Sequence, residues 1–305
     1  MLLNILYGFL ILVGALILLI VFLYFYTKHK LNFDPVNRDI NKIVIYGDVR
    51  SSIKKHHMIS KLIYAEKPDM VLFTGDIASN SHNFLHYLYY AIIENKIWKN
   101  CEYYPVRGNH EAEIHHYKAF LNVPNGNTYY SFDRMGMHFI VLDCWNVYVP
   151  LEEVQLEWLK QDLEANKDKP ISLALHVPFF TSGKYAPYTE DNIMSLIDKY
   201  NILFVFSAHV HSYERSLYKG TYFIVTAGGG APLYPATRYN PYKVKRVTNH
   251  HYCVMNRVND EYHIKVIDIN KEQIDEFYSS KEFVAANKED KIINLDDPNK
   301  EWFVF

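Results

Sequence analysis

The chain lacks what several classes of protein require. It has no excess of positive charge: 32 Lys+Arg stand against 34 Asp+Glu, for a net charge of −2. A nucleic-acid binder that works through a basic surface needs such an excess. Its three cysteines, Cys101, Cys144 and Cys253, carry no CxxC spacing, so neither a disulfide framework nor a thiolate zinc site is expected. No Asn-x-Ser/Thr sequon occurs. Apolar material, at 49%, is ample for a core and excludes disorder over most of the chain. Histidine is abundant, 15 in all, and several stand beside Asp, Asn and Gly, where metal ligands sit.

Charge is also missing locally. Met1 to Tyr26 carry no charged side chain, and Asn4 is the only strongly polar one. As a helix, Ile5 to Tyr26 would span about 33 Å, close to the hydrocarbon thickness of a bilayer. Tyr24 and Tyr26 suit a membrane interface, and Lys28 and Lys30 follow at once. A cleaved signal peptide shows a basic start, a shorter apolar run and a small-residue cleavage site, none of which is visible. A buried core helix is seldom apolar on every face. Residues 1–27 are therefore expected to form a single-pass transmembrane anchor, and residues 28–41 a linker. Lys28, Lys30, Arg38 and Lys42 all follow the span, so the positive-inside rule leans the remainder towards the cytoplasm. The absent sequon and unpaired cysteine count agree with that side; an exported domain is the alternative.

From residue 42 one theme recurs: a short apolar run ends in a polar cluster. Lys42 to Tyr46 ends in Gly47-Asp48-Val49-Arg50, Met70 to Thr74 in Gly75-Asp76, and Tyr103 to Val106 in Arg107-Gly108-Asn109-His110-Glu111. His138 to Leu142 ends in Asp143, Ile171 to Leu175 in His176, Ile202 to Phe206 in Ser207-Ala208-His209-Val210-His211, and Tyr222 to Thr226 in Ala227-Gly228-Gly229-Gly230. Such runs read as buried strands, and His56 to Tyr64 and Val154 to Leu163 have helical spacing. An α/β protein of about nine strands follows, its polar groups at the carboxyl ends of the strands, where open sheets place ligands. The sheet is single or a face-to-face pair.

Asp48, Asp76, Asn109, His176, His209 and His211 offer carboxylate, amide oxygen and imidazole. That mixture suits zinc, manganese or iron rather than calcium. A carboxylate can bridge two ions about 3.5 Å apart, and such a pair can activate water and hold a phosphate.

The ordered series Gly-Asp, Gly-Asp, Gly-Asn-His-Glu, a lone His after a strand, and His-x-His resembles the calcineurin-like metallophosphoesterase superfamily. Tyr129 to Asp133, His138 to Asp143, the Gln155-x-x-Trp158-Leu159-x-x-Asp162-Leu163 stretch and His209 to Arg215 are closer still to its purple-acid-phosphatase-like branch. The resemblance covers residues 42–270 and implies an αββα β-sandwich flanked by helices. Residues 271–305 match nothing in it, and their Lys/Asp/Glu content suggests a partly solvated C-terminal extension. The fibronectin-like domain that some relatives carry is not expected in the stretch before residue 42.

What the resemblance implies for the site can be stated residue by residue. Asp76 resembles the carboxylate bridging two metal ions (Mn, Zn or Fe). Asp48 and His211 resemble ligands of the first ion, and Asn109, His176 and His209 those of the second. His110 resembles the non-ligand histidine beside the phosphate, with protonation of the leaving group or stabilisation of developing charge as its implied role. The nucleophile would be a metal-bound hydroxide, acting on a phosphate ester or anhydride in a small or macromolecular substrate. Two positions depart from the pattern. Where most of the superfamily has Asp-x-His, Arg50 stands, and a guanidinium does not coordinate a cation. The tyrosine of purple acid phosphatases is replaced by Ser79. The first ion is thus expected to be held weakly.

Arg50 has two readings, a bidentate phosphate clamp or a salt bridge to Asp48 or Glu111 that shapes the loop. His56 and His57, beside Lys54 and Lys55, read as a solvated helix start, with His57 as a replacement ligand the alternative. His115 and His116 read as surface residues, Asp143 as an acceptor for backbone N–H groups, and Tyr213-Glu214-Arg215 as a brace for the His-x-His loop. Gly228 to Gly230 lack the ending of a phosphate cradle and read as a loop passing close to the metals. The reading that results is a membrane-anchored metallophosphoesterase, with Arg50 and His110 acting on substrate. The alternative is a degenerate relative that binds a phosphorylated ligand or a partner without turnover.

Overall fold

The computed structural model describes residues 2–30, 39–121, 123–145, 150–185, 187–188 and 191–279, side chains of residues 2 and 26–30 excepted. The side chains of Tyr26, Lys28 and Lys30, together with Arg38 and the tail beyond 279, lie outside the described residues.

Helix α1 (Leu2–Lys30) leads to β1 (Lys42–Tyr46), α2 (Ile53–Glu66), β2 (Met70–Phe73), α3 (Phe84–Trp98), β3 (Glu102–Pro105) and α4 (Ile114–Phe120). The hairpin β4 (Tyr130–Arg134) and β5 (Met137–Val141) follows, then α5 (Glu153–Ala165), β6 (Ile171–Ala174), α6 (Asp191–Lys199) and β7 (Ile202–Ser207). The remainder is all strand: β8 (Tyr213–Tyr218), β9 (Thr221–Thr226), β10 (Lys243–Val247), β11 (His251–Val258), β12 (Glu261–Asp268) and β13 (Gln273–Ser279).

Two sheets form, ordered β13-β12-β11-β1-β2-β3 and β10-β8-β9-β7-β6-β5-β4. The choice between one sheet and two is thereby resolved as a pair, with thirteen strands among the described residues rather than nine. Both faces of the central strands are apolar. In β1, Ile43 and Ile45 enter the core between the sheets, while Val44 and Tyr46 face α2, α3 and α4. Leu159, Leu163, Ile193 and Ile197 of α5 and α6 cover the outer face of the second sheet. This is the αββα order of layers. Within the sheets β1, β2 and β3 run parallel, as do β5, β6, β7 and β9. Their carboxyl ends therefore open on one edge of the sandwich.

Two expected boundaries move. Strand β13 pairs with β12 along Tyr262 to Ile267, so the sheet continues past residue 270 into what was expected to be a solvated extension. Helix α1 runs to Lys30, past the expected end of the anchor at 27. Its Leu3–Phe25 segment, of mean hydropathy 3.0, is long and apolar enough to cross a membrane. The last turns of that segment dock on the domain: the Tyr24 ring lies 5.7 Å from Phe84 and 5.4 Å from Phe120.

One buried polar cluster lies between the first sheet and its helices. His56 is fully buried, not solvated as its lysine neighbours suggested. It meets Glu94 at 2.6 Å, and Tyr46 donates to the same carboxylate. Helical spacing with Ile59 and Ile63 turns it inward, whereas His57 is exposed and reaches no ligand position. All three cysteines are buried, and none forms a disulfide.

His138 ties the hairpin to α5, with Asp133 at 2.7 Å and Asp162 at 2.8 Å from its two ring nitrogens. Burial disfavours its charge, but the bonds and charges of Asp162 and Asp133 prevail and raise its pKa. Its contribution to stability is therefore fully present below the unfolded value of about 6.5 and is lost as pH rises through the higher folded value. His138→Gln should cost about 2 kcal/mol at about pH 6 and clearly less at about pH 9. Urea unfolding at the two pH values checks this; a cost independent of pH would show that His138 is not charged in the fold.

Candidate metal centre

The loops leaving β1, β2, β3, β6, β7 and β9 are woven together at the open edge. The Asp48 N–H donates to the Gly75 carbonyl (2.9 Å), Gly229 N–H to Gly47 (2.8 Å) and Ala231 N–H to Asp48 (2.8 Å). Three would-be ligands, Asp48 (φ 56°), Asp76 (φ 64°) and His209 (φ 64°), have left-handed backbones, a strain that L-residues adopt only when their surroundings impose it. Gly75 itself has φ +100°, and a Cβ there would lie 2.7 Å from His176 Nδ1. At Gly229 a Cβ would meet the Gly47 carbonyl at 2.5 Å and Val49 Cγ1 at 2.6 Å. The triple glycine is indeed a close crossing over the first loop.

All six expected ligand residues come together. His176 Nδ1 lies 2.8 Å from the Thr74 carbonyl, which holds the proton on that nitrogen and leaves Nε2 with a lone pair. That lone pair faces Asn109 Oδ1 at 3.0 Å and Asp76 Oδ1 at 3.4 Å, and His209 Nδ1 is 2.8 Å from the same amide oxygen. Potential ligand atoms of four residues thus converge, an arrangement that suits a cation. Asp48, Asp76 and His176 bring ligand atoms within 4.8 Å of one another, all buried. Oxygen and imidazole donors of this kind fit a zinc, iron or manganese ion. Burial and neighbouring His176 push the His209 pKa down to about 3, which keeps its ring neutral for coordination. Burial works against the Asp76 carboxylate, yet contact with His176 and His110 and the charge of Arg50 hold it below the usual range.

The first position is arranged differently. His211 Nδ1 is 2.5 Å from the Pro232 carbonyl, so its Nε2 also presents a lone pair, 3.0 Å from Asp48 Oδ1. That oxygen is buried and accepts no hydrogen bond. Arg50 lies among these groups: its Nε donates to Asp76 Oδ2 at 3.0 Å and its Nη2 meets His211 Nε2 at 3.3 Å. The salt bridge is therefore to Asp76, not to Asp48 or Glu111. The Ser79 hydroxyl lies 3.3 Å from that of Ser51, and the Ser79 carbonyl is 3.0 Å from His110 Nδ1. His110 is thereby fixed with Nε2 3.9 Å from Asp76 Oδ2, its backbone N–H on Asp76 Oδ1 and its side chain 26% exposed.

Glu111 was legible only as part of its motif. Its carboxylate accepts the backbone N–H groups of Asp76 (2.9 Å), Ile77 (2.9 Å), Ala78 (3.2 Å) and Gly108 (3.0 Å), joining the β2 and β3 loops. Asp143 bonds side chains rather than the expected backbone groups, Arg107 at 3.1 Å and Thr128 at 2.5 Å. Glu214 holds Ser182 and Asn240, and Tyr213 and Arg215 bind Asp275 of β13; these bonds do not reach the His-x-His loop itself. His115 is exposed, and His116 packs against Phe84 and Tyr87. Sequence reasoning missed two rim tyrosines. Tyr234 stacks on His211 at 4.2 Å and Tyr185 lies 4.9 Å from His209; neither belongs to a motif, so no local signal marked them.

Similar proteins are known both in sequence and in fold. Purple acid phosphatase 15 of Arabidopsis thaliana is 27% identical over 242 residues, 62% of this chain and 45% of the relative. The Fe(3+)-Zn(2+) purple acid phosphatase 12 of the same plant is 27% identical over 187 residues, 49% and 38% of the two chains. This chain thus spans less than half the length of either relative. The fold matches the purple acid phosphatase PPD1 of yellow lupin, Lupinus luteus, with a TM-score of 0.70 at 14% identity, covering 85% of this chain and 57% of that one. The model of the calcineurin-like phosphoesterase family matches residues 41–213, more than half of the sequence, and the chain belongs to that family, on its purple-acid-phosphatase-like side.

Proposed function

We propose that this protein is a metal-dependent phosphoric ester hydrolase, anchored to a membrane by α1. The observation that carries the reading is the convergence of Asp76, Asn109, His176 and His209 donors, with His110 at the rim above them. Family membership supports the reaction class, and the exposed apolar length of α1 supports the anchor.

A cation held by those four residues supplies Lewis-acid charge to a phosphoryl oxygen and acidifies water. The chain's own groups do the rest. Asp76, held as a carboxylate, orients His110 through the backbone N–H. The Ser79 carbonyl keeps the His110 Nδ1 proton in place, and from the doubly protonated ring Nε2–H donates its proton to the leaving-group oxygen as the bond from that oxygen to phosphorus breaks. Arg50 contributes positive charge opposite the phosphate, and the Tyr185 and Tyr234 rings border the space left for the ester group.

The test is hydrolysis of 4-nitrophenyl phosphate and bis(4-nitrophenyl) phosphate by the full chain in detergent, loaded with Mn²⁺, Zn²⁺ or iron. Turnover that disappears in a His209→Ala/His211→Ala variant is expected, and the ratio of the two substrates separates monoesterase from diesterase. His110→Ala should retain its metal and lose roughly 10²- to 10³-fold in rate; unchanged turnover would remove His110 from the reaction. The position of Arg50 favours one second reading, a relative that binds phosphorylated ligands without turnover. A folded, metal-loaded protein silent on both esters would support that reading over the first.

A further inference from the structure

Asp48, Asp76 and His211 would hold a first metal ion, yet they close around Arg50. The guanidinium is bonded through Nε to Asp76 Oδ2 at 3.0 Å, through Nη2 to His211 Nε2 at 3.3 Å and through Nη1 to Ser51 Oγ at 3.3 Å. Its side chain is only 14% exposed, and its charge faces Asp48 as well as Asp76. The loop that carries it is fixed at both ends. Asp48 and Ser51, on either side, have left-handed backbones, and Gly229 and Gly230 press on Val49, the residue before it. Arg50 therefore has a pinned root and a head bonded on three sides. A cation entering this position would have to break the Asp76 ion pair and then share the space with a fixed positive charge, both unfavourable.

We propose that the Arg50 guanidinium is the resident cation of the first position, so that the protein binds one metal ion, at Asp76, Asn109, His176 and His209, where its relatives hold a pair. This rests on the hydrolase reading for the role of the second position. Arginine supplies charge and a fork of N–H donors for phosphate oxygens, but it has no vacant orbital. Its charge is independent of metal supply, so removal of metal leaves half of the electrostatic apparatus in place.

The experiment is metal stoichiometry of the full chain after equilibration with Mn²⁺ and removal of excess ion, measured by plasma mass spectrometry. The wild type is expected to hold about one Mn²⁺ per chain, with the paramagnetic resonance spectrum of an isolated ion. Arg50→Ala should hold about two and show the spectrum of a coupled pair; Arg50→Gln, which keeps length and hydrogen bonding without charge, serves the same purpose if Ala does not fold. Two coupled ions in the wild type would overturn this inference and leave the hydrolase reading standing. One ion in both wild type and variant would also overturn it, since Arg50 would then not be what closes the position. No ion in the wild type would overturn this inference and the hydrolase reading together.

Discussion

Asp76→Asn is expected to abolish metal binding and to lower turnover by on the order of 10³-fold or more, because the centre loses both a ligand and its central charge. Asn keeps the shape of Asp and tolerates the left-handed backbone that position 76 adopts, so the chain is not asked to refold. What changes is charge. The Asp76 carboxylate is buried among Arg50, His110 and His176, and it is the acceptor shared by the Arg50 side chain and the His110 backbone. With a neutral amide there, the charge of Arg50 is left facing Asp48 alone, and Asp48 remains the one carboxylate of the Asp48-Asp76-His176 cluster. Metal analysis beside rate measurement separates the two consequences. A variant that stays metal-loaded yet inactive would mean that Asp76 positions Arg50 or His110 rather than holding the ion, and a variant of full activity would refute the centre itself. A melting curve checks that loss of function is not loss of fold.

Which elements could be read beforehand follows from how each is buried. Strands such as β2, β6 and β7 are buried along their whole length, and parallel strands covered on two sides read as continuous apolar runs that stop at polar loops. The edges do not. Strand β10 carries Lys243, Lys245 and Arg246 and has no fully buried residue, and β13 carries Asp275 and Glu276, so its sequence resembles a solvated tail. Both pair at sheet margins, where charged side chains face water. The same distinction holds in the site. Ligand types and their order are local properties of short motifs, and all six residues converge. The place of the Arg50 head is not local, since it depends on the left-handed turns at Asp48 and Ser51 and on a glycine loop far later in the chain, whose Gly229 N–H bonds Gly47. His56 was legible in principle: its spacing to Ile59 and Ile63 outweighs the lysines beside it.

The largest loss of stability from a single polar side chain is expected at Glu111. Its two oxygens accept four backbone N–H groups, from Asp76, Ile77, Ala78 and Gly108, and the carboxylate is fully buried. No helix or sheet ladder serves these donors, because the chain leaves β2 and β3 in tight loops whose other side is the metal centre. Removing the acceptor strands each donor at about 1–3 kcal/mol, so Glu111→Ala should destabilise the protein by at least about 4 kcal/mol even after partial solvation. Glu111→Gln is the finer instrument. It preserves one acceptor oxygen and turns an NH₂ towards N–H donors at the other, so about half the cost is expected, along with weaker metal binding as Asp76 and Asn109 drift apart. Denaturant unfolding with and without Mn²⁺ measures both effects: the variant should gain less from added metal than the wild type does, since ligand stabilisation scales with affinity. A Glu111→Ala loss below about 1 kcal/mol would mean that water replaces the carboxylate freely, and the loops would then owe their shape to the glycines and the strained ligands alone.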